Sequence, residues 1–207
     1  SPLCAAWRAA LSDLSPAVAA QFTVKEVRFN PTALARGFGA FDCVVSPANT
    51  FEIMDGGYDL ARESAFMVDD DIWALTNTAQ DELRARHRGY LPPGSCPLVP
   101  LPATLTAANG LRCTSVAVVP TMRTPESVAW HVDLVYECMW ILLTALRRWN
   151  ASARTGRRPG LGTGSGGIGA EKCAKQMCLA ALDFARGWGE HPRWDDVLPR
   201  ATEMAQT

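Results

Sequence analysis

Apolar positions recur at helical spacing at the start of the chain, where Trp7, Ala10, Leu11 and Leu14 share one stripe and Ser15-Pro16 stops it. A helix is expected over 5–14. Residues 22–29 are rich in β-branched and aromatic side chains and end at Asn30-Pro31, the pattern of a strand. The continuous apolar run 41–46, closed by Pro47, has the character of a strand buried on both faces. Helical spacing returns over 58–67 and again over 72–86, where Ile72, Leu75, Ala79 and Leu83 line up. A short strand is expected at 97–101 and a second at 111–119, with Val116 to Val119 at its centre. The longest helix is expected over 126–149, with Pro125 in its first turn. A last helix, 170–186, follows a glycine-rich stretch. Strands alternating with helices give an α/β fold class.

At 207 residues, with 48% hydrophobic and 20% charged side chains, the chain suits one domain with a sizeable core. Lys and Arg number 20 against 21 for Asp and Glu, a net charge of -1, so no bulk field draws nucleic acid or an anionic membrane. No apolar run reaches the ~18 residues of a membrane span, and residues 1–10 lack a signal-peptide layout. The expectation is an intracellular protein, cytoplasmic or nuclear, monomeric, with neither membrane nor nucleic acid as partner. The seven cysteines contain no CxxC pair, and Cys173 and Cys178 fall on different helical faces, so they read as buried thiols and no metal is expected. Asp69-Asp70-Asp71 reads as a helix-start cap in preference to a metal site. His131 has no nucleophile motif beside it and reads as a structural or surface histidine.

Two loops carry candidate chemistry. Gly160-Leu-Gly-Thr-Gly-Ser-Gly-Gly-Ile-Gly169 opens into a helix, a place where backbone N–H groups can approach phosphate oxygens and the helix dipole adds its field. A tight strand-to-helix turn is the plainer reading of the same glycines. A P-loop is excluded because Ala170 and Glu171 stand where Lys and Ser or Thr belong, and a dinucleotide fingerprint belongs to a leading βαβ unit. The other loop runs from Ser46-Pro47-Ala48-Asn49 to Asp55-Gly56-Gly57-Tyr58-Asp59. Its amide and carboxylate can bind ribose hydroxyls and orient a water, or Asn49 can satisfy the turn and Asp59 favour a helix start.

Taken together the two loops resemble those of the macrodomain family: an apolar strand, then (A/P)AN, six residues, GG, one residue and Asp, with a glycine-rich turn before the last helix. The resemblance covers about 24–188. It implies a three-layer α/β/α sandwich with a mixed central sheet, one macrodomain-like domain over 1–207, with an N-terminal helix (about 1–20) and a C-terminal tail (about 189–207) added. It also implies an ADP-ribose site. Asn30 stands at the adenine-reading position, although Pro31 beside it has no N–H to contribute. Ala48, Asn49, Gly56, Gly57 and Tyr58 form the first wall, and Gly162, Thr163, Gly164, Ser165, Gly166, Gly167 and Ile168 hold the diphosphate and distal ribose.

In that family's hydrolases Asn49 would fix the distal ribose and Asp59 would activate water at its anomeric carbon, without metal or cofactor. The substrates implied are ADP-ribosylated acidic side chains, O-acetyl-ADP-ribose or ADP-ribose-1''-phosphate. Gly166 and Ile168 replace bulky residues of many relatives, and Asp55 stands where relatives have glycine, a possible additional acid. A non-catalytic ADP-ribose reader is the alternative. A third is an RNA or protein interaction module on the same fold, whose support is Arg147, Arg148, Arg154, Arg157 and Arg158.

Overall fold

The apolar run after Phe41 becomes strand β1, Cys43–Asn49, in a computed structural model that describes residues 1–26, 30–54, 64–152 and 167–207. Two further strands, β2 (Leu98–Pro100) and β3 (Ser115–Met122), complete a sheet of order β1-β3-β2 among the described residues. β1 is parallel to β3, with Cys43 opposite Ser115 and Asn49 opposite Met122, and the register slips between Ala48 and Asn49. β2 is antiparallel to β3, with Leu98 opposite Ala117. β3 is therefore the central strand, and its unbroken apolar run has a partner on each edge and cover on each face.

The helices are α1 (Pro2–Ser12), α2 (Pro16–Ala19), α3 (Pro31–Phe38), α4 (Ala74–His87), α5 (Ala103–Ala108), α6 (Leu134–Ser152), α7 (Ala170–Arg186) and α8 (Trp194–Ala205). Because strand side chains alternate, β1 and β3 feed two separate clusters. Cys43, Val45, Ala117 and Val119 join Trp7 of α1, Met139 and Leu142 of α6, and Ala174 and Met177 of α7. Ala48, Val116 and Val118 join Phe66, Leu75, Ala79 and Leu83 of α4's side, and Leu105 of α5. A side chain such as Leu75 or Leu142, essentially without exposure, contributes roughly 2 kcal/mol by burial. The architecture is mixed α/β.

Several elements depart from the sequence pattern. Of the expected strand, 27–29 lie outside the described residues, and 22–26 form no strand, with no ladder partner among the described residues; Phe22 instead packs on Trp7 at 5.9 Å between ring centroids, and Lys25 sits over the Phe38 ring. The expected helix over 58–67 falls outside the described residues up to 63, and its end, Ser64–Phe66, is a single 3-10 turn. The long helix starts at Leu134 and not at 126, since Gln176, buried on α7, donates its Nε2 hydrogen to the Val132 carbonyl at 2.6 Å. That bond and the turns His131 N–H to Val128 O and Leu134 N–H to His131 O hold 126–133 irregular.

Trp130 is consequently 77% exposed, while Trp140 is half-buried between Tyr136 and Phe184. Asp71 serves the turn before α4, accepting the Trp73 N–H at 2.8 Å, while Asp69 and Asp70 take left-handed backbone. The expected tail contains α8, whose first turn is closed by Asp196 accepting the Arg193 N–H at 2.8 Å. Pro199 inside that helix removes one backbone donor, which hides it from a pattern reading.

Candidate functional site

At the end of β1 the chain leaves the sheet through a loop that is tied down on three sides. Thr50 donates both its N–H (2.9 Å) and its hydroxyl (3.2 Å) to the carbonyl of Met122, the last residue of β3, and its own carbonyl accepts from Leu91 N–H at 2.9 Å. Gln80 of α4 donates to Phe51 O at 3.1 Å, and Met54 N–H donates to Thr76 Oγ1 at 3.3 Å. Asn49 closes the turn from within. Its Oδ1 accepts from Phe51 N–H (3.0 Å) and Ile53 N–H (3.3 Å), and its Nδ2 donates to Ile53 O at 2.6 Å. The amide thus shapes the loop backbone, the second of the two roles open to it. Ala48 beside it is buried in the cluster beneath α4.

Glu52 lies in the same turn and is fully buried, with a backbone φ of 56°. Left-handed backbone is unusual for a residue with a side chain, so the surrounding bonds impose it. Neither carboxylate oxygen has a hydrogen-bond partner among the described residues. Burial, aided by the nearby Glu82 carboxylate, pushes its acid up to about 7. No motif in the sequence singles out this residue. The available signal was a lone acid between apolar neighbours Phe51, Ile53 and Met54, directly after a buried strand.

The described end of the second glycine loop lies beside the segment that follows β3. Gly167, at φ 74°, faces Ser127, five residues past β3, where a Cβ would stand 3.4 Å from the Ser127 hydroxyl. Ile168 packs against the α6 and α7 cluster, and Gly169 caps α7 with no side-chain acceptor among the described residues. The structure therefore brings the start of the first loop and the end of the second to the segment leaving β3. Asp55, Gly56, Gly57, Tyr58 and Asp59 lie outside the described residues, as do Gly162, Thr163, Gly164, Ser165 and Gly166.

Asn30 is not brought to the others. Its Oδ1 accepts the Ala33 N–H at 3.0 Å to cap α3, and Pro31 packs against Gly110, where a Cβ would meet it at 3.0 Å. Gly110 precedes β3, at the end of the sheet where Phe41 N–H bonds Leu111 O and β1 begins. Asn30 and Asn49 thus sit at opposite ends of the parallel pair, a strand length of ~20 Å apart.

The remaining groups are structural. Burial pushes the thiols of Cys96, Cys138 and Cys178 up to about 12 and that of Cys173 to about 11, so they stay protonated and unreactive. His131 stacks on Trp130 and faces Glu137 at 3.4 Å. Arg147 and Arg148 are exposed on α6, and Arg154, Arg157 and Arg158 lie outside the described residues. A groove of about 430 Å³ runs between α6 and α8, walled by Tyr136, Trp140, Trp188, Val197 and Met204. Its polar groups are already engaged: Tyr136 donates to Asp183 at 3.0 Å, and Arg200 donates to Gly187 O at 2.7 Å while stacking on Trp188.

No helix among the described residues is long and apolar enough to cross a membrane. No protein-family model and no curated protein matches the chain.

Proposed function

We propose that this chain binds ADP-ribose in a macrodomain-like site at the exit of β3 and hydrolyses ADP-ribosyl derivatives there. The observation that carries the reading is convergence: Asn49 is paired with Met122 at the end of β3, and Gly167 meets Ser127 just beyond it. A ligand spanning the two loops has the loop after β1 on one side and the uncapped start of α7 on the other. That helix start, with its amide donors and dipole, suits a diphosphate. The helices that cover both faces of β1 and β3 support the three-layer α/β/α sandwich that the resemblance implies.

In this reading Asn49 holds the loop backbone in shape, and Asp59 takes the proton from a water that attacks the anomeric carbon of the distal ribose. The bond from that carbon to the acyl oxygen breaks, and the carboxylate leaves. ADP-ribosylated acidic side chains fit that chemistry, as does O-acetyl-ADP-ribose whose acetyl ester is on the anomeric oxygen, and ADP-ribose-1''-phosphate fits with phosphate as the leaving group. The engaged amide of Asn49 favours a second reading, an ADP-ribose reader without turnover.

Calorimetric titration with ADP-ribose, against ADP and ATP, tests the site. Selective binding supports it, and no binding overturns both readings. An ADP-ribosylated acidic peptide then separates them: turnover lost in Asp59→Ala with binding kept is the hydrolase, whereas binding with no turnover in the unaltered chain is the reader.

A further inference from the structure

The loop that carries Asn49 holds a group with no use in the fold. Glu52 is fully buried, both its oxygens lack hydrogen-bond partners among the described residues, and its backbone is held in the left-handed region. A carboxylate so placed is costly when charged and tolerable when neutral. The described groups around it offer no compensation. On α4 the charged neighbour is Glu82, itself paired with Arg86, and the uncharged neighbours of the loop are Thr76 and Gln80. The turn after α4 contributes Leu91 and the Tyr90 ring, edge-on to Phe51 at 5.9 Å, and β3 contributes the Met122 carbonyl.

We propose that Glu52 is a proton-operated latch on the loop after β1: holding its proton, the side chain stays inside and the loop is closed; losing it to solvent, the side chain leaves and the loop opens. The geometry transmits the change directly. The three bonds of the Asn49 amide end on Phe51 and Ile53, the residues on either side of Glu52, so turning Glu52 outward breaks the turn that Asn49 shapes. The bonds from Gln80 to Phe51 and from Met54 to Thr76 are lost with it. The acid, pushed up to about 7 by burial and by Glu82, places the change near neutral pH. As a control of ligand binding the latch rests on the ADP-ribose reading; as a movement of the loop it does not.

The experiment therefore has two readouts on the full chain between pH 5.5 and 8.5. Amide hydrogen exchange of residues 50–54, corrected for its intrinsic pH dependence, reports the loop, and calorimetry with ADP-ribose reports the site. Protection and affinity should both fall, affinity by about tenfold or more, with a midpoint near 7. In Glu52→Gln both should stay at their low-pH values throughout. Glu82→Gln, which keeps Glu52 and removes its charged neighbour, should move the midpoint to lower pH and serves if the first variant does not fold. Protection that is independent of pH in the unaltered chain, or an unchanged slope in Glu52→Gln, overturns the latch. If protection falls as expected while ADP-ribose binds at no pH, the latch stands and the ADP-ribose reading fails.

Discussion

Thr50 and Met122 are joined twice: the N–H and the hydroxyl of Thr50 both donate to the Met122 carbonyl, at 2.9 and 3.2 Å. The pair fastens the loop after β1 to the last residue of the central strand, so the mouth of the candidate site is set by sheet register and not by the loop's own preferences.

Thr50→Val keeps the shape and removes one of the two bonds. The carbonyl retains its backbone partner, so the expected loss is modest, about 1 kcal/mol. Urea unfolding should show a lower midpoint with an unchanged slope. A change in slope would mean that the loop, and not the bond, had been altered.

Glu52 gives the fold a pH dependence of definite sign. Its acid is raised from an ordinary 4.5 to about 7 in the folded chain, so its contribution is fully present below about 4.5 and is lost as pH rises through 7. The difference amounts to roughly 3 kcal/mol. Melting temperature should therefore fall between pH 5 and 7.5, and Glu52→Gln should flatten that fall. A melting temperature that rises over this interval in the unaltered chain, and not in the variant, contradicts the assignment.

Asn109 ties α5 to the start of β3. Its Nδ2 lies within reach of the carbonyls of Leu105 (2.7 Å), Thr106 (3.1 Å) and Cys113 (3.1 Å), and its Oδ1 accepts the Cys113 N–H at 3.0 Å. Truncation to alanine strips four side-chain bonds from this backbone, although Leu105 O keeps the Asn109 N–H at 3.0 Å, at a cost of about 2 kcal/mol. Chemical denaturation should register the loss. Ligand affinity of the folded variant should be unchanged, because Asn109 lies at the opposite end of β3 from the candidate site.

Arg200 holds α8 in place by its bond to Gly187 O, its stacking on Trp188 at 4.3 Å and its approach to the buried carboxylate of Asp183 at 4.0 Å. Arg200→Ala should cost about 2 kcal/mol, since Asp183 keeps the Tyr136 hydroxyl and Arg186 nearby. Limited proteolysis should then cut between α7 and α8 at a protease dose that leaves the unaltered chain whole. Equal resistance would show that apolar packing alone seats the helix.

Continuous apolar runs were the legible part of the fold. Val116 to Val119 and the run after Phe41 become β3 and β1 because strands covered on both faces need no alternation. The expected range 170–186 for α7 agrees with the structure, because glycines mark its start and its apolar stripe is unbroken. Phe22 and Val24 have strand-forming side chains too, yet pack on α1's cluster without a ladder. Strand propensity records fit to a neighbour, which one segment does not contain. The first eight residues of the expected long helix are held irregular by a remote bond from Gln176 together with two backbone turns.

The candidate site was legible to the same degree. The two loops could be placed in order, and the described end of each lies by the segment leaving β3, Asn49 opposite Met122 and Gly167 beside Ser127. That Asn30 caps a helix at the far end of the sheet follows from how Pro31 of α3 packs on Gly110, a contact between positions 79 residues apart in sequence. The lone acid among apolar neighbours was a sign of Glu52, but its burial follows from the bonds that Thr50, Phe51 and Met54 make to Met122, Gln80 and Thr76, far along the chain.

The pairing of β1 with β3 also dictates the order in which the molecule can assemble. Cys43 and Ser115 face each other from 72 positions apart, and α1 shares its cluster with α7. During synthesis the apolar side chains of β1 and the stripe around Trp7 emerge long before the strand and helix that will cover them. The sheet can close only when the central strand has left the ribosome, and the N-terminal helix can dock only after α7 has followed. Nascent chains truncated before residue 115 should therefore be open to proteases and to chaperones that recognise bare apolar segments, with protection arriving late and in two steps.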